Sequence, residues 1–175
     1  MFDALPVRRA MHLFYRLFAT TQSFAPTILR LVLAAVFIVH GGQKTVGWMG
    51  GDGWSATLAK WTSPEGLDLS YAAAIFGILA ELLGALGMLT GFCTRLSALL
   101  LVGVMANAIA LVHWQNGFLA PKGYEYPLTL GCIALALVFS GGGRLSMDRL
   151  FTGQLLPPRG STVMSSYRMQ SIIKG

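Results

Sequence analysis

Apolar residues are arranged along the chain in four long runs that are almost free of charge. The runs cover residues 27–46, 71–91, 96–121 and 126–143, so each reaches the length of about 18 residues that a membrane-spanning helix needs. Arg30 and Lys44 bracket the first run and Glu81 lies at the centre of the second, but the residues around these charges form no polar face. The pattern predicts an all-α membrane protein, a bundle of four transmembrane helices.

Two further segments flank the four runs. Residues 5–23 combine arginines with Leu, Met and Phe in a basic amphipathic pattern, which predicts an N-terminal interfacial helix. Arg16 interrupts the apolar core that a signal peptide would need, so we do not expect a cleaved signal. The tail is polar, and we expect it to be disordered or bound to a partner. The predicted organisation is a cytoplasmic segment 1–26, a membrane domain 27–150 and a C-terminal tail 151–175.

Composition supports the membrane assignment. The 175 residues are 54% hydrophobic and 11% charged, whereas a soluble domain carries about 25% charged residues. This excludes a separate soluble catalytic domain. The net charge of +6 would suggest nucleic acid as the partner of a soluble protein, but here the basic residues flank the apolar runs. We therefore expect the lipid bilayer, and not nucleic acid, as the partner.

The basic residues are divided unequally between the two ends of the predicted bundle. Ten of the 13 lie before or at the start of the first run, between the second and third, or after the fourth. Because Lys and Arg accumulate in cytoplasmic loops, both termini are predicted to be cytoplasmic. Residues 48–70, which are rich in Gly and Trp, would then form an exoplasmic loop. We expect this loop to be re-entrant or interfacial, in the position of a lid.

Small residues recur in the second run at intervals of three and four positions. They are Ala73, Gly77, Ala80, Gly84, Gly87 and Gly91. This spacing places them on one helix face, where another helix can approach closely, so we expect a structural role for the glycines. Glu81 lies beside this face and should point into the bundle, where a carboxylate needs a partner.

Depth along the helices identifies candidate partners for Glu81. At about 1.5 Å per residue, His40, Lys44 and Glu81 all fall between the middle of the membrane and its outer side. His40 and Lys44 are one turn apart and share a face, which predicts a Lys44–Glu81 ion pair with His40 nearby. The other polar residues toward this side are Asn107, His113 and Glu125. We therefore expect an exoplasmic polar pocket formed by His40, Lys44, Glu81, Asn107, His113 and Glu125.

Four motifs, in this order and spacing, resemble the DoxX family of small four-helix membrane proteins. They are RLVLAAVFIVHGGQK at 30–44, ELLGALGMLTGFCTR at 81–95, HWQNGF with GYEYP within 113–127, and GGGRLSMD at 141–148. The residues carried over are Gly41, Lys44, Glu81, Gly91, Arg95, Glu125 and Asp148. The family is similar to the quinone-linked subunit of thiosulfate:quinone oxidoreductase. The resemblance implies a component of a redox system in the bacterial plasma membrane, with structural roles for Arg95 and Asp148.

No cofactor is fixed by the sequence, and the candidate is a quinone, whose oxygens the polar pocket could hold while aromatic residues pack on its ring. The chain has no Gly-rich dinucleotide loop, no C-x-x-C-H haem attachment and no iron–sulfur cysteine spacing. The depths of His40 and His113 permit axial ligation of a b-type haem, but each is more simply a hydrogen-bonded group at a helix end. We expect neither haem nor a metal ion.

Two other functions remain open. The chain could be a non-catalytic accessory subunit of a larger respiratory or other membrane complex, which would make other membrane proteins its partners. It could also be a carrier for a small molecule or lipid. The sequence does not decide whether the protein is an enzyme.

Overall fold

The computed structural model describes residues 18–119 and 121–155, and the regular secondary structure of these residues is helical. The α-helices are α1 (Ala25–Thr45), α2 (Gly53–Thr62), α3 (Tyr71–Thr90), α4 (Thr94–Ala108), α5 (Glu125–Ser140) and α6 (Met147–Leu155). A π-helical turn, Ile109–His113, and a 3₁₀ turn, Trp114–Asn116, extend α4. A second 3₁₀ turn, Trp48–Gly50, precedes α2.

Helices α1, α3, α4 and α5 form the bundle, and consecutive members run antiparallel. Helix α3 packs against both α1 and α4, and α5 packs against α4 and α1. The interior is apolar, with Leu33, Phe37, Met88, Leu101 and Leu137 fully buried. We call the end at which α1 begins the proximal end and the end at which α1 finishes the distal end.

Three of the helices are long and apolar enough to cross a membrane: α1, α3, and α4 together with its extension to Asn116. The predicted all-helical membrane architecture is confirmed to that extent. Helix α5 has 16 residues and is shorter than the 18-residue run predicted at 126–143. It ends early because Gly141 takes a positive φ of 74° and turns the chain out of the helix. The predicted interfacial helix lies mostly within residues 1–17, outside the described residues.

The crossing of α3 and α4 is close because α3 presents glycines there. A Cβ atom added to Gly84 would lie 2.6 Å from Cδ2 of the fully buried Leu101. One turn along α3, a Cβ atom on Gly87 would overlap the side chain of Ser97. The predicted close-packing face is therefore present at this crossing, where side chains of α4 pack directly on the backbone of α3.

At the proximal end, Arg30 satisfies the last carbonyl groups of α3. Its guanidinium is buried and donates hydrogen bonds to the backbone oxygens of Met88 and Leu89, the latter at 2.7 Å. It also donates to the backbone oxygen of Leu145, in the connection to α6. The last carbonyls of a helix lack partners within the helix. Arg30 therefore closes the end of α3 and joins it to the α5–α6 connection.

Asp148 and Arg95 also form hydrogen bonds with backbone groups at helix ends, at the start of α4 and near the end of α5. The buried Asp148 carboxylate accepts hydrogen bonds from the backbone N–H groups of Cys93 and Thr94, at 2.7 and 2.8 Å, where α4 begins. Burial raises the pKa of the Asp148 carboxyl above its ordinary value, although these hydrogen bonds and the Arg30 charge act in the opposite direction. Arg95 donates to the backbone oxygen of Val138 near the end of α5, at 2.6 Å.

Replacing Gly84 with Leu should destabilise the protein by about 1 to 3 kcal/mol, because the added side chain must displace Leu101 from a filled core. Thermal unfolding in detergent measures the loss. Gly103 is the matched control, since it is also in a helix interior, on α4, but has no atom within 4 Å of an added Cβ. Gly103→Leu should unfold at or above the wild-type temperature. Equal unfolding temperatures for the two variants would show that the α3–α4 crossing is not tight.

Candidate functional site

The distal half of the bundle contains an ion pair between α1 and α3. Lys44 Nζ lies 2.7 Å from both carboxylate oxygens of Glu81. The Glu81 side chain is 3% exposed and that of Lys44 is 25% exposed. Near this pair Gly41 packs against Leu82 of α3, where a built Cβ would be in ordinary van der Waals contact, 3.6 Å from Leu82 Cδ1. The ion pair predicted from helix depth is thus present in the structure.

A cavity of about 330 Å³ lies directly beside this pair. One wall is the distal end of α1, and the other is formed by the loop after α1 together with α2. The lining residues are His40, Gln43, Lys44, Gly50, Gly51, Asp52, Thr57, Lys60 and Trp61. Lys44 therefore belongs to both the ion pair and the cavity. Glu81 does not line the cavity but holds Lys44 in place through the ion pair.

The loop between α1 and α2 can form a wall because its backbone lies directly on α1. A Cβ atom added to Gly51 would be 2.5 Å from the Cα of Gln43, so any side chain at position 51 would push the loop away. Helix α2 then packs on α1 and α3 through the buried residues Thr57 and Leu58. The loop predicted as a lid thus contains a ten-residue helix that covers the distal end of α1 and α3.

Trp61 connects this covering segment to both helices beneath it. Its ring edge rests on Gly77 of α3, where an added Cβ would lie 3.0 Å from Trp61 Cζ3. Lys44 Nζ is 6.0 Å from the centre of the same ring, which is within the range of a cation–π interaction. The Trp61 ring and the Lys44 ammonium group therefore lie within cation–π distance of each other, and both residues line the cavity.

Thr57 is the polar group in this wall that lacks a partner. It is 3% exposed, and its hydroxyl has no hydrogen-bond partner. A buried hydroxyl without a partner costs about 1 to 3 kcal/mol. Thr57 lines the cavity, so a ligand oxygen that came within hydrogen-bond distance of its hydroxyl would remove this cost.

The charged side chains at the cavity form two ion pairs, Lys44–Glu81 and Asp52–Lys60. Asp52 and Lys60 lie at its outer rim, with 3.6 Å between Asp52 Oδ2 and Lys60 Nζ, and both side chains are more than half exposed. Lys44 donates to both carboxylate oxygens of Glu81, which leaves at least one of its three N–H bonds for another acceptor. His40 and Gln43 supply further polar groups from α1. The arrangement can hold an acceptor oxygen at its inner end and a flat ring against Trp61.

Three other residues expected in the pocket do not line this cavity. The Asn107 side chain is exposed and donates to the backbone oxygen of Gly103 on its own helix, at 2.8 Å. His113 Nδ1 lies 2.8 Å from the backbone oxygen of Lys122, so it holds together the connection between α4 and α5. Glu125 is half-buried at the first position of α5. Only His40, Lys44 and Glu81 of the predicted set meet at one place.

The residues expected to be structural lie at contacts between elements. Gly77 receives Trp61, Gly84 and Gly87 face α4, and Gly91 has a positive φ of 68° where α3 ends. Arg95 and Asp148 bond to helix ends at the proximal end, far from the cavity in the fold. The described residues contain no group of three or more His, Cys, Asp or Glu that could hold a metal ion.

Sequence reasoning did not single out Thr57 and Trp61 as members of the site. Their spacing of four residues places them on one face of α2, and Leu58 beside Thr57 is also buried. That spacing is the signal that marks the inner face of α2. The contact between this face and Lys44 depends on the path of the loop, which has no periodic pattern.

Comparison with known proteins places most of these residues within a matched region. The DoxX family model matches residues 25–114, which include α1 to α4 and every residue that lines the cavity. An uncharacterized protein of Haemophilus influenzae is 30% identical over 127 residues, which are 70% of this chain and 80% of that protein. No solved structure matches the chain significantly.

Removing one member of the Lys44–Glu81 pair should destabilise the protein by roughly 3 to 5 kcal/mol, because the remaining charge stays buried without a partner. We expect this loss for Glu81→Gln and for Lys44→Met. The double variant should recover part of the loss, since it also removes the cost of burying both charges. Thermal or denaturant unfolding in detergent, arranged as a double-mutant cycle, measures the coupling.

The Asp52–Lys60 pair provides the matched control, because it joins the same two charge types at an exposed position. Its double-mutant cycle, with Asp52→Asn and Lys60→Met, should give a coupling below about 1 kcal/mol. Additive losses in the Lys44–Glu81 cycle would show that the two side chains do not interact.

Proposed function

This chain belongs to the DoxX family of membrane proteins, and we propose that it binds the headgroup of a quinone in its distal cavity as a component of a membrane redox system. The observation that carries the proposal is the position of the Trp61 ring beside Lys44, with the unpaired Thr57 hydroxyl in the same wall. A quinone headgroup is a flat ring with carbonyl oxygens on opposite sides. It matches an aromatic surface flanked by hydrogen-bond donors.

The residues of the cavity fit such a ligand in size and chemistry. A volume of about 330 Å³ lies in the lower part of the range of small-molecule sites. Lys44 would donate its remaining N–H to one carbonyl oxygen, and Thr57 would donate its hydroxyl to an oxygen within its reach. His40 would provide a group able to exchange protons near the ring. A bound quinone would supply the capacity to accept and release electrons together with protons.

We also propose that α5 is the fourth membrane span. At about 1.5 Å per residue, its 16 residues extend about 24 Å, which is short of the hydrocarbon thickness of about 30 Å. The antiparallel contact with α4 supports this placement, since it carries α5 from the distal end back to the proximal end. The excess of Lys and Arg at the proximal side supports cytoplasmic termini in a bacterial plasma membrane. The domain limits at residues 26 and 150 remain part of the proposal, although α6 continues to Leu155.

Thr57→Val should weaken the binding of a short-chain quinone roughly two- to tenfold, which corresponds to one hydrogen bond of about 1 kcal/mol. The side chains are similar in volume, and the hydroxyl has no partner to lose in the protein, so stability should not fall. Calorimetric titration of the purified protein in detergent, with ubiquinone and menaquinone analogues, measures the affinity.

Thr62→Val is the control, because Thr62 lies on the same helix but donates its hydroxyl to the backbone oxygen of Leu58 and does not line the cavity. It should bind quinone as the wild type does. Wild-type protein that binds neither analogue would refute the quinone assignment. Displacement of quinone by a ring-free lipid would favour the carrier function instead.

A role as an accessory subunit is favoured by a different observation, on the outer face of α4. Asn107 is exposed there within a span, and Gly103 one turn away has open space beside it. Polar residues within membrane spans generally pair with one another or with backbone carbonyls. A small residue next to an amide suits the close approach of a second membrane helix that hydrogen-bonds to Asn107.

Asn107→Leu should reduce recovery of partner membrane proteins when the chain is purified in mild detergent. Asn116→Leu is the matched control, since Asn116 also donates to the carbonyl four residues earlier, that of Val112, but follows the apolar part of the helix. Equal recovery with both variants would argue against this face as a subunit contact. Loss of partners with Asn107→Leu but unchanged quinone binding would show that the two functions are separate.

A further inference from the structure

A second concave surface lies at the proximal end, between the end of α3 and the start of α6. It encloses about 580 Å³ and is lined by Arg144 and Arg149 together with the apolar residues Leu145, Met147 and Leu150. We propose that this surface, the α6 groove, binds the headgroup and upper acyl chain of an anionic phospholipid. The inference does not depend on the quinone proposal.

The two arginines of the α6 groove have no carboxylate partner among the described residues. The ion pairs among the described residues are Lys44–Glu81 and Lys60–Asp52, and both lie at the distal end, away from the groove. Asp148 lies between the two arginines in sequence, but its buried carboxylate bonds to the start of α4. The groove therefore carries two positive charges that an anionic group can neutralise.

The orientation of Arg144 is set by contacts that leave its charge available. Its guanidinium carbon lies 5.0 Å from the centre of the Phe24 ring, in a cation–π contact that leaves the hydrogen-bond donors free. Among the described residues, the Arg149 side chain makes one long contact, 3.5 Å from Nη1 to the backbone oxygen of Arg144. Arginine suits phosphate recognition because its planar donors match two phosphate oxygens at once.

The apolar part of the groove identifies the ligand as a lipid and not as a free phosphate. Leu145 and Leu150 are 63% and 65% exposed, and Leu150 lies about 200° around α6 from the buried residue Asp148. Thr90 marks the end of a membrane-spanning helix, so the groove lies at the level where headgroups meet acyl chains. An acyl chain would cover the leucines while the phosphate pairs with the arginines.

Phosphatidylglycerol should bind the detergent-purified full chain more tightly than phosphatidylcholine, as measured by native mass spectrometry and by the shift in unfolding temperature. Arg144→Gln and Arg149→Gln should each reduce phosphatidylglycerol binding about fivefold, the equivalent of about 1 kcal/mol per basic residue. Leu150→Asn should weaken binding while leaving both charges in place. Inorganic phosphate at the same concentration should neither bind detectably nor displace the lipid.

Lys122→Gln is the control, because this side chain is an exposed cation at the distal end and only its backbone oxygen is used, by His113. It should retain wild-type lipid binding. Circular dichroism of each variant separates loss of binding from loss of fold. Equal affinity for the two lipids, an unchanged affinity in both arginine variants, or full displacement by inorganic phosphate would overturn the proposal.

Discussion

The ion pair between Lys44 and Glu81 is the interaction on which the distal half of the bundle depends. Each charge would be costly alone in a membrane interior, so α1 and α3 must remain at the register in which the two meet. That register places His40 and Lys44 at the cavity and aligns Gly77 to receive Trp61. The Lys44–Glu81 ion pair between α1 and α3 thus helps to position α2, which packs over these two helices.

At the proximal end, too, buried polar groups need partners, but there the groups are parts of the backbone. There the buried polar groups are backbone carbonyls and N–H groups at helix ends, which water cannot reach. Arg30 and Arg95 donate to the carbonyls that end α3 and α5, and Asp148 accepts from the N–H groups that begin α4. Cohesion of the bundle therefore comes from a charge pair at one end and from side chains that complete helix termini at the other. The candidate binding surfaces lie beside these two polar regions.

Much of this arrangement follows from the sequence, because depth along a helix is a simple function of residue number. Lys44 and Glu81 could be matched that way, and the glycine spacing predicted a close helix crossing on α3 without naming the partner helix. Rotation about the helix axis is a separate variable: Asn107 has a depth similar to the pocket, but it lies about 200° around α4 from Met105, which is buried. The place of Thr57 depends on a glycine-rich loop whose path has no periodicity, so long-range packing alone determines it.

The neutrality of the Lys44–Glu81 pair has an electrical consequence. A membrane potential acts on a fixed charge with about 2.3 kcal/mol per 100 mV for full transfer across the bilayer. Since the ammonium and carboxylate are within 2.7 Å of each other, their contributions cancel. The Lys44–Glu81 pair thus experiences almost no net force from the field of an energised membrane. A ligand that shifted one of these two groups relative to the other would make the occupancy of the cavity depend on voltage.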